Sequence, residues 1–191
     1  GKVLKKINGL SMLEILINRV QESKLLSEIV VATSTEETDN LIYEHCKEIG
    51  VCCFRGSEND VLNRYYECAI EYQADVVVRL TSDCPLIDYS LIDKVLDLFF
   101  ISESDYSANT VPPQTSKFPD GSDIEIFSMQ ALEKANEQAT SLPDREHVTF
   151  FFWKNETPNK FKTTQLENEE DFSSFRYTVD YPEDLEVVSF V

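Results

Sequence analysis

The chain has 191 residues, of which 42% are hydrophobic, and its formal net charge at pH 7 is −18. This length suits one domain with a full core, and the hydrophobic content is typical of a globular protein. The acidity excludes a protein that binds a nucleic-acid backbone, because such binding needs basic surface. A single nucleotide is not excluded, since a bound divalent cation supplies positive charge locally.

The cysteines and histidines give no sign of a structural metal site. The chain has five cysteines and two histidines, and no two cysteines form a C-x-x-C pair. A structural zinc site is therefore not expected. With no signal peptide and no long apolar run, we expect a cytoplasmic protein with reduced thiols and no membrane segment.

The first hundred residues alternate between predicted helices and strands. Gly9 marks a turn, and Ser11 with Glu14 three residues later forms the capping-box pattern of a helix start. Strands are predicted at 28–33, 51–54 and 76–81, and helices from 11, at 35–50, at 60–72 and at 88–100. This β-α-β-α pattern predicts an α/β fold with a mostly parallel, Rossmann-like sheet and helices on both faces.

The pattern changes after residue 100. Pro112, Pro113, Pro119 and Gly121 mark a long loop, and loops of this length are usually functional or mobile. Strand segments are predicted at 105–109, 123–127, 161–166 and 176–180, and helices at 128–139, at 143–153 and from 182. We predict one domain over 1–191, with a first half at 1–104 and a second at 105–191.

The stretch 76–88 contains the strongest candidate for a functional residue. A run of valines leads into a polar turn with Ser82 and Asp83, and Pro85 stops the strand. Ligands of open α/β sheets bind outside the carboxyl ends of the strands. Asp83 either caps the next helix or delivers a carboxylate to a site. Asp88 is better placed as the cap, which leaves Asp83 free.

Asp180 follows the last predicted strand in the same way, with Pro182 after it. Two carboxylates from neighbouring strand ends suit Mg²⁺, which would polarise a nucleoside triphosphate. The alternative is that each carboxylate only interacts with the dipole of a helix start. Lys2 is either a phosphate partner in a Gly-containing loop or an exposed terminal lysine.

Three arginines are candidate anchors for phosphate or for a substrate carboxylate, because the guanidinium fork fits such groups. They are Arg79, Arg145 and Arg176. Arg145 stands next to Glu146 and His147, so it either binds an anionic substrate or forms an exposed charge pair of little energetic weight.

The loop at 120–125 is a further candidate. Gly121 permits close backbone approach to a ligand. Asp123 and Glu125 form a D-x-E triplet that resembles the D-x-D metal motif of glycosyltransferases that use nucleotide sugars, although such a triplet is common by chance.

Five stretches carry a resemblance to a known family. They are GSENDVLNRYY at 56–66, VRLTSDCPLID at 78–88, PDGSDIEIF at 119–127, REHVT at 145–149 and YTVDYPEDL at 177–185. Together they resemble the cytidylyltransferases that make CMP-activated sugar acids, and the closest branch is similar to the SpsF-type proteins of spore coat polysaccharide biosynthesis. The stretches follow the order of the family and span nearly the whole chain.

The resemblance implies a nucleotidyltransferase fold and a reaction. It implies that CTP, Mg²⁺ and a sugar or sugar acid give a CMP-sugar and pyrophosphate, in surface or spore coat polysaccharide biosynthesis. Asp83 and Asp180 would match the two metal carboxylates, and Gly1 with Lys2 would match the end of the phosphate loop. The half 1–104 would bind the nucleotide, and the half 105–191 would bind the sugar and form a homodimer.

The resemblance also implies individual contacts. Nucleotide contacts would come from Gly1, Lys2, Ser57, Asp60, Arg64, Arg79 and Ser82. Substrate contacts would come from Asn109, Gly121, Asp123, Glu125, Arg145, Glu146, His147 and Arg176. Two departures stand out: the first strand and most of the phosphate loop of the family are not in this sequence, and Ser82 replaces the usual glycine.

Two other functions are open at this stage. A glycosyltransferase that uses nucleotide sugars would place a D-x-D motif directly after the strand at 76–81, where the sequence instead reads Ser82-Asp83-Cys84-Pro85. A non-catalytic nucleotide-binding module would not need the complete phosphate loop.

Overall fold

The computed structural model describes residues 1–154 and 160–190, and within them strands and helices alternate as an α/β fold requires. The strands are β1 Lys6–Ile7, β2 Leu10–Ser11, β3 Val30–Ser34, β4 Cys52–Gly56, β5 Val76–Arg79, β6 Tyr106–Ala108, β7 Glu125–Ser128 and β8 Thr163–Gln165. The helices are α1 Met12–Val20, α2 Asn40–Glu48, α3 Val61–Glu71, α4 Tyr89–Ile101, α5 Met129–Gln138, α6 Leu142–Glu146, α7 Phe150–Trp153 and α8 Pro182–Phe190.

The strands of the described residues form two main sheets and one short hairpin. β3 and β4 pair in parallel, and the second sheet has the order β5-β7-β6-β8. In that sheet β7 is antiparallel to both neighbours, whereas β6 and β8 are parallel. The predicted α/β class is confirmed. The pairing is more mixed than in a purely parallel sheet because a loop, with no helical crossover, connects β6 to β7.

Alternate residues of β5 face two different cores. Val76 and Val78 pack with the cluster around α1 and α4, whereas Val77 packs with the cluster around α3 and α5. This is the two-residue period of a β-strand, and it places helices on both faces of the sheet. The run of three valines is therefore explained by burial on both sides.

A short hairpin brings the N-terminus to the C-terminal segment. β1 and β2 are joined by Asn8 and Gly9, whose φ values are 50° and 93°. Asn-Gly is the typical sequence of a two-residue hairpin turn. Met12, directly after β2, shares a small apolar cluster with Val179, and Lys2 lies in a 3₁₀ helix just before the hairpin.

Two predicted elements of the second half are wrong. The helix predicted at 143–153 is two short helices, because Val148 between them is fully buried with a φ of 55° and interrupts the helical path. The strand predicted at 176–180 is no strand among the described residues. The segment packs against the loop that contains Asp120 and not against the edge of a strand. It therefore forms a single bridge, between Arg176 and Asp120.

Several predicted helix starts are confirmed by their side-chain caps. The side chains of Ser11, Asp60, Asp88 and Ser128 each accept a hydrogen bond from a backbone N–H of the first helical turn. Asp88 therefore caps α4, and Asp83 does not. None of the described helices has the length and apolar character needed to cross a membrane.

We expect the core around α5 to be sensitive to truncation. Leu132→Ala removes a fully buried side chain, so the free energy of unfolding should fall by about 2–5 kcal/mol. Leu41→Ala in α2 is the matched control, because Leu41 is 67% exposed and should cost roughly 0.5 kcal/mol or less. Urea denaturation measures both, and equal losses would contradict the assignment of the core.

Candidate active site

Lys2, Asp83 and Asp180 meet at the carboxyl end of β5. The Nζ of Lys2 lies 3.5 Å from Oδ2 of Asp83 and 3.1 Å from Oδ1 of Asp180. All three side chains are between 33% and 44% exposed. Residues that are 81 and 178 positions apart in the chain therefore form one polar cluster that is open to solvent.

The position of Asp83 is fixed by its backbone. Its carbonyl oxygen accepts a hydrogen bond from the backbone N–H of Val179 at 2.8 Å. Val179 is 2% exposed and directly precedes Asp180. This bond therefore joins the carboxyl end of β5 to the segment that carries the second carboxylate.

The position of Asp180 is fixed by an arginine and by a helix cap. Arg176 forms ion pairs with Asp180 and with Asp184, the latter at 2.8 Å. One oxygen of Asp184 accepts hydrogen bonds from the backbone N–H groups of Asp180 and Tyr181, each at 2.8 Å. An acidic side chain that folds back onto the start of its own helix is a common helix cap. The cap holds the backbone of Asp180 against the start of α8.

The loop at 119–123 braces the same segment. The Nε of Arg176 lies 3.3 Å from Oδ2 of Asp120, and the two residues also form the isolated bridge. Gly121 has a φ of 97°, and a Cβ at this position would lie 2.4 Å from the backbone nitrogen of Thr178. Only glycine permits this approach of the two backbones.

The electrostatics keep Asp83 ionised. Burial by itself raises the pKa of Asp83, but the hydrogen bond from Thr81 and the charge of Lys2 outweigh it, so the pKa is lowered. Burial and the neighbouring carboxylate of Asp123 raise the pKa of Asp120, against the lowering effect of Arg176. Asp83 is therefore ionised at neutral pH and able to hold a cation.

The donor set fits a divalent cation that takes few protein ligands. The described residues contain no group of three or more histidine, cysteine or acidic side chains arranged to hold a metal. Two carboxylates do converge on the ammonium of Lys2, so the position between them already holds a positive charge, that of the lysine. Mg²⁺ commonly uses one or two carboxylates and completes its shell with water and phosphate oxygens.

A second group of predicted site residues forms a structural ion pair. Arg145 donates to both carboxylate oxygens of Asp60, at 2.9 and 2.5 Å, and also to the backbone carbonyl of Asn136 at 2.7 Å. Arg64 donates to the carbonyl of Ser57 at 2.6 Å. These contacts tie α6 and α5 to the start of α3, so the guanidinium of Arg145 is engaged within the protein.

A third group is buried in the sheet. Arg79 forms an ion pair with Glu125 on the neighbouring strand, and Tyr106 donates to the other oxygen of Glu125 at 2.7 Å. Burial, followed by the charge of Glu125, raises the pKa of Tyr106 well above its usual value. The hydroxyl therefore stays protonated and donates its hydrogen bond. Arg79 and Glu125 therefore bind each other, and they do not meet the cluster of Lys2, Asp83 and Asp180.

Asn109 and Asp123, which were predicted to contact substrate, make hydrogen bonds within and around the loop at 119–124. Asn109 is fully buried, donates to the carbonyl of Ser122 at 2.7 Å and accepts from the N–H of Ile124 at 2.8 Å. Asp123 accepts from the hydroxyl of Thr110 and from the N–H of Gly121, both at 2.7 Å. They give the loop the shape that carries Gly121 onto the C-terminal segment.

The remaining predicted residues are exposed or half-buried. Gly1 is exposed and begins the 3₁₀ helix that holds Lys2, and Ser82 is half-buried. Glu146 and His147 are exposed, and the His147 ring lies 4.3 Å from that of Phe150. The structure places none of these four in direct contact with both carboxylates.

Thr81 and Asp184 were not predicted from the sequence, and Asp120 was predicted only as part of the loop at 120–125. Asp184 stands three residues after Tyr181 at a helix start, which is the spacing of a capping acid. Asp120 directly precedes Gly121 in that loop. No sequence pattern indicates that Thr81 would hydrogen-bond to Asp83, because that contact depends on the turn after β5.

Comparison with known proteins gives one family. A family model described as Cytidylyltransferase matches residues 1–189. The uncharacterized protein MJ1063 of Methanocaldococcus jannaschii is 40% identical over 189 residues, which are 98% of this chain and 74% of that protein. The spore coat polysaccharide biosynthesis protein SpsF of Bacillus subtilis is 31% identical over 196 residues, with 98% of this chain and 78% of that protein covered.

A solved structure agrees with these matches. The structure of a cytidylyltransferase from Leptospira borgpetersenii is similar with a TM-score of 0.92 and 36% identity, over 99% of this chain and 78% of that chain. The resemblance noted from the five stretches is therefore confirmed, and the predicted nucleotidyltransferase fold is confirmed with it.

We expect the contact at Gly121 to be essential for stability. Gly121→Ala combines an unfavourable φ with a clash against backbone, so it should cost about 2 kcal/mol more than an alanine at a comparable open position. Gly50→Ala is that control, because Gly50 has a φ of 72° with nothing within 4 Å of its Cβ position and should cost roughly 1–2 kcal/mol. Chemical denaturation compares them, and equal costs would contradict the close approach.

We also expect acid to weaken the cap of α8. The hydrogen bonds from Tyr181, Asp180 and Arg176 lower the pKa of Asp184 from 3.8 to about 2. A lowered pKa in the folded state gives stability that is complete above the ordinary pKa and is lost as pH falls from about 4 to about 2.

The test is thermal unfolding as a function of pH. Asp184→Asn should be less stable than the wild type at neutral pH and should lose less stability between about pH 4 and about pH 2. Glu186→Gln, an exposed acid on the same helix, should follow the wild-type curve. If Asp184→Asn has the same stability as the wild type at every pH, the cap does not contribute to stability.

Proposed function

Because the chain belongs to the cytidylyltransferase family, we propose that it transfers CMP from CTP to a hydroxyl group of a sugar or sugar acid and releases pyrophosphate. The observation that carries the proposal is the convergence of Asp83 and Asp180 on the ammonium of Lys2. This is a site for a cation and phosphates at the carboxyl end of a strand, where α/β sheets bind ligands.

Mg²⁺ is the cofactor that we propose, with Asp83 and Asp180 as its protein ligands. When bound, it would neutralise phosphate charge and stabilise the leaving pyrophosphate. The donor chemistry supports it, because two carboxylates plus phosphate oxygens and water form a typical magnesium shell. Arg176 pairs with the carboxylate of Asp180, and the N–H of Val179 donates to the backbone carbonyl of Asp83, so both residues are positioned by contacts that do not involve the cation.

The protein's own contribution to the reaction is mostly positioning. A sugar hydroxyl attacks the α-phosphorus, the bond from that phosphorus to the bridging oxygen breaks, and the hydroxyl proton leaves to solvent. Lys2 is free to turn from the carboxylates to the phosphates, because it is exposed and its stem is flexible. Asp83 stays ionised throughout, since its pKa is lowered. Such preorganised charge is usually a large term in phosphoryl chemistry.

A role in polysaccharide biosynthesis is proposed from similarity alone, and no particular sugar is assigned. The name of the relative SpsF supports a role in polysaccharide biosynthesis, and the family supports CTP as the nucleotide. A homodimer and a cytoplasmic location stay predictions. The family match favours this function over the two rivals, a glycosyltransferase or a non-catalytic nucleotide-binding module.

We expect both carboxylates to be required for turnover. In the full-length protein, Asp83→Asn and Asp180→Asn should each lower Mg²⁺-dependent pyrophosphate release from CTP by about a hundredfold or more. Asp97→Asn, an exposed acid of α4, is the matched control and should be unaffected. Pyrophosphate release is measured with a panel of sugars and sugar acids as acceptors.

Calorimetry separates binding from catalysis in the same variants. Wild-type protein should bind CTP more tightly with Mg²⁺ than without it, and Asp83→Asn should remove that difference. Unchanged pyrophosphate release in both site variants would refute the metal assignment. Binding of CTP with no release for any acceptor would favour the nucleotide-binding module, and tighter binding of a UDP- or CMP-sugar would favour the glycosyltransferase.

A further inference from the structure

Three polar side chains are linked in a row between the start of α1 and the helix α2. Nε2 of His45 lies 2.7 Å from the hydroxyl oxygen of Ser11, which is 34 positions earlier in the chain. Nδ1 of the same ring lies 3.6 Å from Oε2 of Glu48, three residues later on α2. The His45 side chain is 18% exposed and Ser11 is 2% exposed, so the contact between them is largely shielded from water.

The hydroxyl group of Ser11 makes two hydrogen bonds. Its oxygen accepts the backbone N–H of Glu14 at 3.0 Å, as the N-cap of α1. A hydroxyl has one proton to donate, and Nε2 of a neutral His45 is an acceptor at 2.7 Å. We assign the tautomer in which Nδ1 carries the proton, because Nδ1 faces the carboxylate of Glu48.

A serine, a histidine and a carboxylate in this order can also activate a nucleophile. That role does not fit Ser11, because its side chain is buried and its oxygen caps a helix. A nucleophile has to be reached by its substrate. The three residues therefore serve as a link between α1 and α2.

The link holds the β1–β2 hairpin. Ser11 is the second residue of β2 and pairs with β1. The N–H of Met12 donates to the carbonyl of Lys5 at 3.0 Å, and the N–H of Lys5 donates to the carbonyl of Lys2 at 3.1 Å. A continuous path of short hydrogen-bonded steps thus runs from His45 through Ser11 to the backbone of Lys2.

Helix α2 also meets this segment through apolar packing. Val3 packs against the cluster that contains Leu13, Ile17 and Cys46. Cys46 is fully buried and directly follows His45 on α2. Consecutive residues of α2 therefore make one polar contact with the end of the hairpin and one apolar contact beside Lys2.

The position of Lys2 depends on such support. Its ammonium lies between Asp83 and Asp180, at the end of a side chain that is 37% exposed. A lysine stem is long and flexible, so it does not by itself fix the position of its charge. The backbone beneath it decides which groups the ammonium can reach.

We propose that His45 is a positioning residue for Lys2. Through its hydrogen bond with Ser11 it holds the β1–β2 hairpin so that the ammonium of Lys2 reaches the two carboxylates and, during turnover, the phosphates. The phosphate role of Lys2 rests on the proposed function. The hold on the hairpin rests on the geometry alone.

Hydrogen exchange tests the hold without any need for turnover. His45→Leu keeps the bulk of the side chain and removes the acceptor, so the amides of Lys5 and Met12 should exchange faster by about tenfold or more. His45→Gln offers an amide oxygen in place of Nε2, so it should restore exchange close to the wild-type rate. Glu44→Gln, an exposed acid of the same helix, is the matched control and should exchange as the wild type does.

Kinetics test whether the effect passes through Lys2. His45→Leu should lower kcat/KM for CTP in pyrophosphate release by about tenfold or more, because a small displacement of a positioned group is costly. His45→Gln should recover most of this loss. In a Lys2→Ala background, His45→Leu should have little further effect, since the two residues then no longer share a contact to lose.

Unchanged exchange at Lys5 and Met12 in His45→Leu would overturn the inference, whatever the activity. A loss of kcat/KM that keeps its full size in the Lys2→Ala background would overturn it too, because the histidine would then act by another route. A wild-type protein that releases no pyrophosphate with any acceptor would refute the proposed function, and the exchange rates would still decide whether His45 holds the hairpin.

Discussion

The backbone hydrogen bond from Val179 to Asp83 is the contact on which the candidate site depends. It joins the turn after β5 to a segment that comes nearly a hundred residues later and that forms a single isolated bridge within the part of the chain the structure describes. Because Val179 is buried and Asp180 follows it directly, this bond brings the second carboxylate to the first. The bond therefore couples the positions of the two acids.

The supports of that bond come from three directions. The hairpin packs Ile7 and the following Met12 against Val179. Lys2, which lies just before the hairpin, is thereby placed beside the two carboxylates. The loop at Gly121 presses on Thr178 from another side, and Arg176 bridges to Asp120, Asp180 and Asp184. Single exposed ion pairs contribute little, but a shared arginine with a backbone cap fixes geometry more firmly than any one pair. The site is thus built where three separate segments meet.

The charged residues outside this meeting point have structural roles. Arg145 with Asp60 and Arg79 with Glu125 are partly or largely buried pairs. Removing one partner of such a pair usually costs several kcal/mol, since the other is left with an unpaired charge. Loss of activity on mutation of Arg79 or Arg145 would therefore report first on folding. Variants of Asp83 and Asp180, which are more exposed, report on chemistry more directly.

The sequence by itself determined the α/β class and most helix starts, and it singled out Asp83 and Asp180 as candidate site carboxylates, because these follow from local periodicity, capping chemistry and short motifs. It did not determine that 176–180 lies on a loop, that Val148 divides a helix or that Arg79 and Arg145 are engaged by Glu125 and Asp60. Those features depend on partners tens of residues away. Only the tertiary structure decided them, since a side chain's role is set by what packs against it and not by its neighbours in the chain.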